Sequence, residues 1–403
     1  MGRFESVDAL QNMLARDVFS ETASAKKAAG RALGTLVELI TFYMIRDWEL
    51  EGGLAIERGL PEYGNKSINH NVEFTLHPAS NSIQVPIADR DKSLTLRQIM
   101  VGLKEAGSTI SLETNRPKTL RTAKGLLRHA ALCGEEPGAF WTAHMVGGAD
   151  AFLLTRLVEK PYAMFECKRV GIEEGMSKGP QTIEKAKQGA YVARTVSGLQ
   201  RVPLRDGRVA AAVEDASGTL VTHDNYYDFL RSAIDRGDLT QLANVVLTVG
   251  VVSNHGNWFT AETQNKEMRV LAQSYDWLLF LTDAGLAEFV QDVLHGTQES
   301  LAPVREAFKA SFGRTGGGTS FTKVTIDERA DAALTHYFAT EQPWDRWFNV
   351  IAPAPSAVEH VAKTDVEAVD TVGEAGAALP SVSLDELRAD LHRLRRLHEQ
   401  EGI

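Results

Sequence analysis

Residues 147–170 read GGADAFLLTRLVEKPYAMFECKRV, and the fold turns on how this stretch is parsed. Two apolar runs, AFLLTRL and YAMFECKRV, flank VEKP, where Lys160-Pro161 signals a turn because proline presets φ and cannot continue a ladder. The expectation is strand, tight turn, strand: a buried hairpin that sets Asp150, at the start of the first strand, beside Glu166, near the end of the second. Side chains alternate faces along a strand, so Glu166 and Lys168 share one face and Cys167 points the other way, from where it can lend a metal only its backbone carbonyl. The FECK segment continues an apolar strand, and charges carried into such a place are costly unless they are paired.

Upstream, Ala23 to Glu51 is helical in pattern, with Leu33, Leu36, Val37, Ile40, Met44 and Trp48 at helical spacing and Gly52-Gly53 as the stop. VEFTL (72–76) and SIQVPI (82–87) read as two strands of a hairpin around HPASN (77–81). SLTLRQIMVGLKEAG (93–107) and PKTLRTAKGLLRHAALCG (117–134) read as helices, the second with proline in its first turn and glycine at its end. Downstream, Gly171 to Gly179 reads as a loop, and Pro180 to about Ser197 as a helix. LANVVLTVGVV (242–252) is apolar and β-branched throughout, which suits a central strand covered on both faces. Further helices are expected around Glu262 to Thr282, Leu286 to Leu294 and Glu328 to Thr340.

The segment from Ala352 to Pro380, rich in Ala, Val, Pro and Gly, reads as a linker. Ser383 then opens a last helix, with capping-box spacing to Glu386. Its stripe of Leu384, Leu387, Leu391 and Leu394 suits docking on the chain's own core and pairing with another subunit equally. The fold class is therefore α/β (α+β): a central mixed sheet flanked by helices over residues 1–352, a linker at 353–382 and a C-terminal helix at 383–403.

Charge and cysteine usage narrow the function. The 403 residues carry 43 Lys and Arg against 53 Asp and Glu, a net charge of −10, which opposes a protein whose whole surface binds nucleic acid. Half of that excess lies beyond Pro353, where ten acids meet five bases. Between Lys104 and Arg128 the sign reverses: Lys104, Arg116, Lys118, Arg121, Lys124 and Arg128 face only Glu105 and Glu113, which is either a polyanion-binding surface or a solvated helix face. No window approaches the roughly 20 consecutive apolar residues of a bilayer span, and MGRFESVDALQ lacks the design of a signal peptide, so a soluble, cytoplasmic protein without membrane partners is expected. The two cysteines, Cys133 and Cys167, form no CxxC, which argues against a disulfide framework and structural zinc.

Two carboxylates and an ammonium converging on one edge suit phosphodiester hydrolysis, because hard oxygen ligands hold Mg²⁺, and the ion lowers the pKa of a bound water while neutralising charge that develops on the phosphate. The spacing of Asp150 and Glu166-Cys167-Lys168 resembles the PD-(D/E)XK nuclease superfamily, whose signature is an Asp at a strand start and (D/E)XK on the neighbouring strand; Ala149 stands where the signature has Pro. Members commonly add a Glu from a preceding helix, and AAGRALGTLVELI offers Glu38. They also place a helix across the sheet after the core strands, here QTIEKAKQGAYVAR with Gln181, Lys185, Gln188 and Tyr191 as DNA contacts. The resemblance spans Glu38 to about Val252 and is strongest to type II restriction endonucleases.

The resemblance implies a restriction-endonuclease-like core, a Mg²⁺ cofactor and double-stranded DNA as substrate. It implies Asp150 and Glu166 as metal ligands with the Cys167 carbonyl, Lys168 as the group that positions the water, and Glu38 supporting the metal or its shell. A homodimer matches the two-fold symmetry of duplex DNA, and a cognate DNA methyltransferase is the implied genetic partner. Other readings are a repair, resolvase or antiphage nuclease that recognises DNA structure or modification, and a non-catalytic nucleic-acid-binding module in which the strand charges form a structural ion pair.

Four other features bear on function. SNHGNW (253–258) follows the expected central strand, which makes Asn254, His255 and Asn257 candidate DNA contacts or else a polar turn capping the next helix. GRTGGGTSFTK (313–323) is glycine-rich enough to cradle phosphate but lacks the Gly-Lys-Ser/Thr of a phosphate loop, and a flexible loop closing over DNA fits it equally. NHN (69–71) has no second His or Cys cluster to complete a metal centre, and His129 with Cys133, on one expected helix, suits core packing.

Overall fold

The computed structural model describes residues 7–19, 25–65, 71–87, 89–105, 107, 110, 112, 119–146, 151–171, 189, 191–255, 271–312, 320–353 and 382–401. The strands in its first half are β1 (Leu54–Arg58), β2 (Val72–Leu76), β3 (Ala79–Pro86), β4 (Leu94–Thr95), β5 (Thr119–Arg121), β6 (Leu126–Arg128), β7 (Ala131–Glu136), β8 (Ala139–Met145), β9 (Ala151–Val158) and β10 (Ala163–Gly171). They are followed by β11 (Leu199–Pro203), β12 (Val209–Glu214), β13 (Leu220–His223), β14 (Leu247–His255), β15 (Trp277–Leu281), β16 (Thr325–Asp327) and β17 (Phe348–Ala352). The molecule is mixed α/β, and its largest sheet is itself mixed: the order is β1-β2-β10-β14-β15-β17, with β10, β14 and β15 parallel and the other neighbours antiparallel.

Helix α1 spans Val7–Met13 and helix α2 spans Ala25–Asp47. On α2, Leu33, Leu36, Ile40 and Met44 are fully buried, and so are Leu39, Phe42 and Ile45 on other sides. A helix that is apolar nearly all round must be enclosed. Here it lies between β10 and β14 on one side and the helix Glu328–Glu341 on the other, where Tyr43 stacks on Phe338 with centroids 5.2 Å apart. Ala28–Asp47 is long and apolar enough to cross a bilayer, yet its side chains are packed inside the protein.

The parallel strands owe their place to composition. Val249, Val251, Leu279 and Leu281 are buried against the α2 side, while Met164, Val252, Leu278 and Phe280 pack on the other face with Val192, Val196 and Tyr275. A parallel strand covered on both faces has no polar side to show. The starts of β14 and β15 are tied by Asp276, whose carboxylate accepts from the Thr248 amide and hydroxyl, both at 2.8 Å, and pairs with Arg201 at 3.3 Å.

Several expectations are corrected. β9 and β10 both form, but not as a hairpin: β9 pairs with β3 and β8 in a four-stranded antiparallel sheet ordered β3-β9-β8-β7, while β10 lies in the six-stranded sheet. β2 and β3 part in the same way. Both turns carry the chain from one sheet to another, and period-two alternation is blind to which partner a strand will meet. The segment expected as a helix over 117–134 is instead β5, β6 and the start of β7, with Gly125 at φ +78° making the turn between β5 and β6. His129 and Cys133 therefore lie on a turn and a strand, both buried. The basic run does not form one helix face either: Arg121 is buried in a 2.9 Å ion pair with Glu328, Lys104 ends a helix, and Arg116 and Lys118 lie outside the described residues. Trp277–Leu281 is a strand where a helix was expected, and the central strand runs Leu247–His255. The linker, apart from its first residue and Val382, lies outside the described residues.

The C-terminal helix Leu384–Glu401 docks on its own chain. Leu384, Leu387, Leu391 and Leu394 are buried in the main core beside the helix Tyr226–Arg236, and Ser383 Oγ accepts from the Glu386 amide at 3.4 Å.

Candidate active site

β10 and β2 pair only through Ala163↔Leu76, Met164↔Thr75 and Phe165↔Phe74. Beyond that point β10 continues with β14 as far as Gly171↔His255. Glu166 and Glu73 are the first residues past the last shared pair, one on each strand. Past the end of the shared ladder, a carboxylate from each strand meets the same ammonium.

Lys168 Nζ sits between the two acids, 3.3 Å from Glu166 Oε2 and 3.4 Å from Glu73 Oε1. The Glu166 side chain is fully buried and that of Lys168 is one-quarter exposed, so alternation has put the pair on one face and left the ammonium nearer solvent. Burial opposes the charge on Lys168, but Glu166 and then Glu73 outweigh it and hold its pKa above the ordinary lysine value. Cys167 points the opposite way, as expected from alternation; burial first and Glu73 second keep its thiol protonated.

Glu38 reaches the same cluster from α2. Its Oε2 accepts from Lys323 Nζ at 2.7 Å, and that ammonium also contacts Glu57 Oε1 at 3.2 Å and Glu73 Oε2. Burial, reinforced by the neighbouring Glu73 carboxylate, pushes Glu38 up to about 7 despite Lys323 and Lys168. The structure thus brings together Glu38, Glu166 and Lys168, as the sequence suggested, and adds Glu73, Glu57 and Lys323. Asp150 lies outside the described residues. The strand that follows it does not neighbour β10, and the carboxylate on the neighbouring strand is Glu73.

Glu73 was within reach of sequence reasoning, because VEFTL was read as a strand and its acid is flanked by Val72 and Phe74, the same signal that singled out Glu166. Lys323 gave no such signal: it closes a glycine-rich run 285 residues from its partner on α2.

The back of the site is packed tightly. Gly189 faces Glu166, and a Cβ there would fall 2.9 Å from Glu166 Cγ and 2.8 Å from Tyr275 Oη. Residues 191–196 continue as helix, and Tyr191, half exposed, stands on its outer side. Gln181, Lys185, Gln188 and Asn257 lie outside the described residues. Asn254 and His255 form the last registered pairs of β14, opposite Val170 and Gly171, at the same sheet end as Lys168.

Among the described residues no three of His, Cys, Asp and Glu converge on one metal-sized centre; instead the carboxylates are bridged by ammonium groups. The donor set nevertheless fits Mg²⁺ in kind. Glu73 and Glu166 offer hard carboxylate oxygens, and four carboxylates (Glu38, Glu57, Glu73, Glu166) share two ammonium groups (Lys168, Lys323). Compared with protein-family models, curated proteins and solved structures, the chain matches none of them.

Proposed function

We propose that this protein is a Mg²⁺-dependent endonuclease that hydrolyses phosphodiester bonds of double-stranded DNA, of the PD-(D/E)XK kind and most like a type II restriction enzyme, acting as a homodimer. The observation that carries the reading is the meeting of Glu73, Glu166 and Lys168 where the β2–β10 ladder ends, with Glu38 supplied by the helix that precedes these strands. Glu73 takes the place the signature gives to the acid of the neighbouring strand, a role the sequence assigned to Asp150. The strand order, an antiparallel β1-β2-β10 segment followed by parallel β14, supports a restriction-endonuclease-like core.

In this reading Glu73 and Glu166, with the backbone carbonyl of Cys167, would hold the ion. When bound, the ion supplies an acidified water and neutralises charge on the phosphate. Lys168 orients the attacking water, and the two acids beside it keep its ammonium charged, so it acts as a positioning donor and not as a base. Asn254 and His255 lie at the sheet end from which DNA would approach, and Tyr191, Gln181, Lys185, Gln188 and Asn257 remain the other candidate contacts by sequence. A cognate methyltransferase belongs to the same reading.

The test is incubation of the purified protein with phage DNA in Mg²⁺, in Mn²⁺ and in EDTA, beside Lys168→Ala and Glu166→Gln. Discrete metal-dependent fragments that vanish in both folded variants are expected. Degradation to a smear would point to a nuclease that reads structure instead of sequence. Intact DNA under both metals would overturn the nuclease reading in favour of a structural ion cluster.

A further inference from the structure

Apart from the carboxylate cluster, a cavity of about 460 Å³ opens where the end of α2 meets the turn 51–53, strands β8 and β9 and the helix Glu328–Glu341. Its size falls in the range of small-molecule sites. His144 and Leu153 oppose each other across the β8–β9 ladder, so their side chains share one face, and both line the cavity. His144 is only 8% exposed, yet among the described residues neither of its ring nitrogens has a hydrogen-bond partner. A buried polar group is normally bonded, because an unpaired one keeps the cost of leaving water. Burial holds the His144 pKa below the ordinary histidine value, so the ring is neutral at pH 7 and offers one acceptor and one donor.

The charge around that ring is one-sided. Asp47, Glu49 and Glu51 line the cavity with a single guanidinium, Arg46, and Arg46 is already answered by Glu51 at 3.1 Å and Asp331 at 2.8 Å. Asp47 accepts from the neutral Trp344 indole at 2.7 Å, while Arg395 reaches Glu49 through its backbone carbonyl at 2.8 Å. Among the described residues no cation pairs with the Asp47 or Glu49 carboxylate. Glu49 also sits at φ +58°, just past the end of α2, where the Leu50 amide donates to Ile45 O at 3.1 Å. Glycine is the usual residue in such a helix closure and adopts it without strain, so the glutamate side chain is kept against the local preference of the backbone.

An anion would meet these acids unfavourably, an apolar molecule would leave them and His144 unanswered, and no three metal-ligating groups converge here among the described residues. We infer that the cavity binds a small aliphatic diammonium ion: one ammonium meets Asp47 and Glu49, the methylenes lie along Leu153 and Ala339, and the other ammonium donates to His144 beside Glu51. This site shares no lining residue with the proposed nuclease centre and stands or falls independently of it.

The experiment titrates putrescine, butylamine and Mg²⁺ separately into the full-length protein by calorimetry, with melts by circular dichroism, for the natural chain, Glu49→Gly, Ala339→Trp and His144→Leu. Glu49→Gly removes a carboxylate while relieving the backbone, and Ala339→Trp fills the cavity from an exposed helix position. The inference expects one putrescine per chain, bound at least about tenfold more tightly than butylamine and at least about tenfold more weakly in each variant, as loss of one charge-assisted hydrogen bond implies. Putrescine should raise the melting temperature of the natural chain by mass action, and Glu49→Gly without ligand should melt at or above it. Absence of binding, several equivalent sites per chain, butylamine or Mg²⁺ bound as tightly as putrescine, or unchanged affinity in Glu49→Gly and Ala339→Trp would overturn the inference. If His144→Leu does not fold, those two variants still decide it.

Discussion

β9 and β10 are neighbours in sequence, similar in length and both mostly apolar, yet only β10 carries the site. β9 is registered along its length on both sides, from Ala79↔Leu157 to Pro86↔Ala151 with β3 and from Ala139↔Val158 to Met145↔Phe152 with β8. Its side chains split between a core under the helix Leu96–Glu105 and a small cluster around Phe140. β10 is complete only on its β14 side; its β2 ladder stops after Phe165. A fully paired strand has its amides and carbonyls satisfied and its side chains packed, which makes it a scaffold. A strand that loses one partner midway leaves room for side chains to meet across the gap, and this one meets a partner strand with an acid at the matching place.

The largest expected effect separates the two strands by chemistry. Lys168→Ala on β10 should lower cleavage by at least about 10²-fold while the circular dichroism melt keeps its native cooperativity; cleavage at the natural rate would remove Lys168 from the proposed mechanism. On β9 the order is reversed. Leu154 is fully buried, so Leu154→Ala should cost about 2–5 kcal/mol of stability in a denaturant titration, with cleavage per folded molecule unchanged. A fall in specific activity as large as that of Lys168→Ala would dissolve the distinction between scaffold and site.

A smaller effect is expected behind Glu166. Gly189→Ala puts a methyl within 2.9 Å of Glu166 Cγ, and overpacking of this kind costs about 1–3 kcal/mol. Cleavage should fall along with the melting temperature, because the displaced group is in the site. Gly34→Ala in α2, where a Cβ meets nothing within 4 Å, is the control: it should melt at or above the natural temperature, since alanine is the better helix former.

The smallest effect at neutral pH concerns the joint between the two sheets. His77 lies at the end of β2, and its ring reaches the end of β9: Nδ1 donates to Val158 O at 2.9 Å and Nε2 accepts from the Thr75 hydroxyl at 2.8 Å. In the neutral ring Nδ1 carries the proton and Nε2 is the acceptor. Burial, with Arg58 adding to it, lowers its pKa from 6.5 to about 3. Above pH 6.5 the folded and unfolded chains are both neutral at this position. Below it the unfolded chain binds a proton that the folded chain refuses until about pH 3, so stability is lost progressively as pH falls through that window. Melts from pH 7 to pH 4 should show the slope reduced in His77→Gln relative to the natural protein; equal slopes would mean that His77 does not couple the joint to pH.

Other parts of the chain show which signals carry through to structure. Helix α2, the strands VEFTL and FECKRV, the helix Glu328–Glu341 and the docked C-terminal helix were legible because period and end signals are written locally: a proline or glycine stop, a capping serine, a leucine every third or fourth residue. The helix Tyr226–Arg236 was legible too and went unread, although Asn225 caps it by accepting from the Tyr227 and Asp228 amides and Gly237, at φ +65°, ends it. Residues 117–134 misled because TLRTAKGLLRHAAL satisfies helical periodicity as well as it satisfies two short strands about a glycine turn, and local pattern has no term for the partner strands β16 and β4 that decided the matter.

The sequence by itself determined the alternation that puts Glu166 and Lys168 on one face, the enclosure of α2 and the acid carried into each of the apolar strands VEFTL and FECKRV, because each depends on residues a few positions apart. Only the tertiary structure decided that the neighbour of Glu166 is Glu73, 93 residues upstream, and that Lys323 crosses to Glu38. Strand pairing and buried ion pairs are settled by which surfaces remain to be covered once the whole chain has packed, and that competition leaves no mark in any short window of sequence.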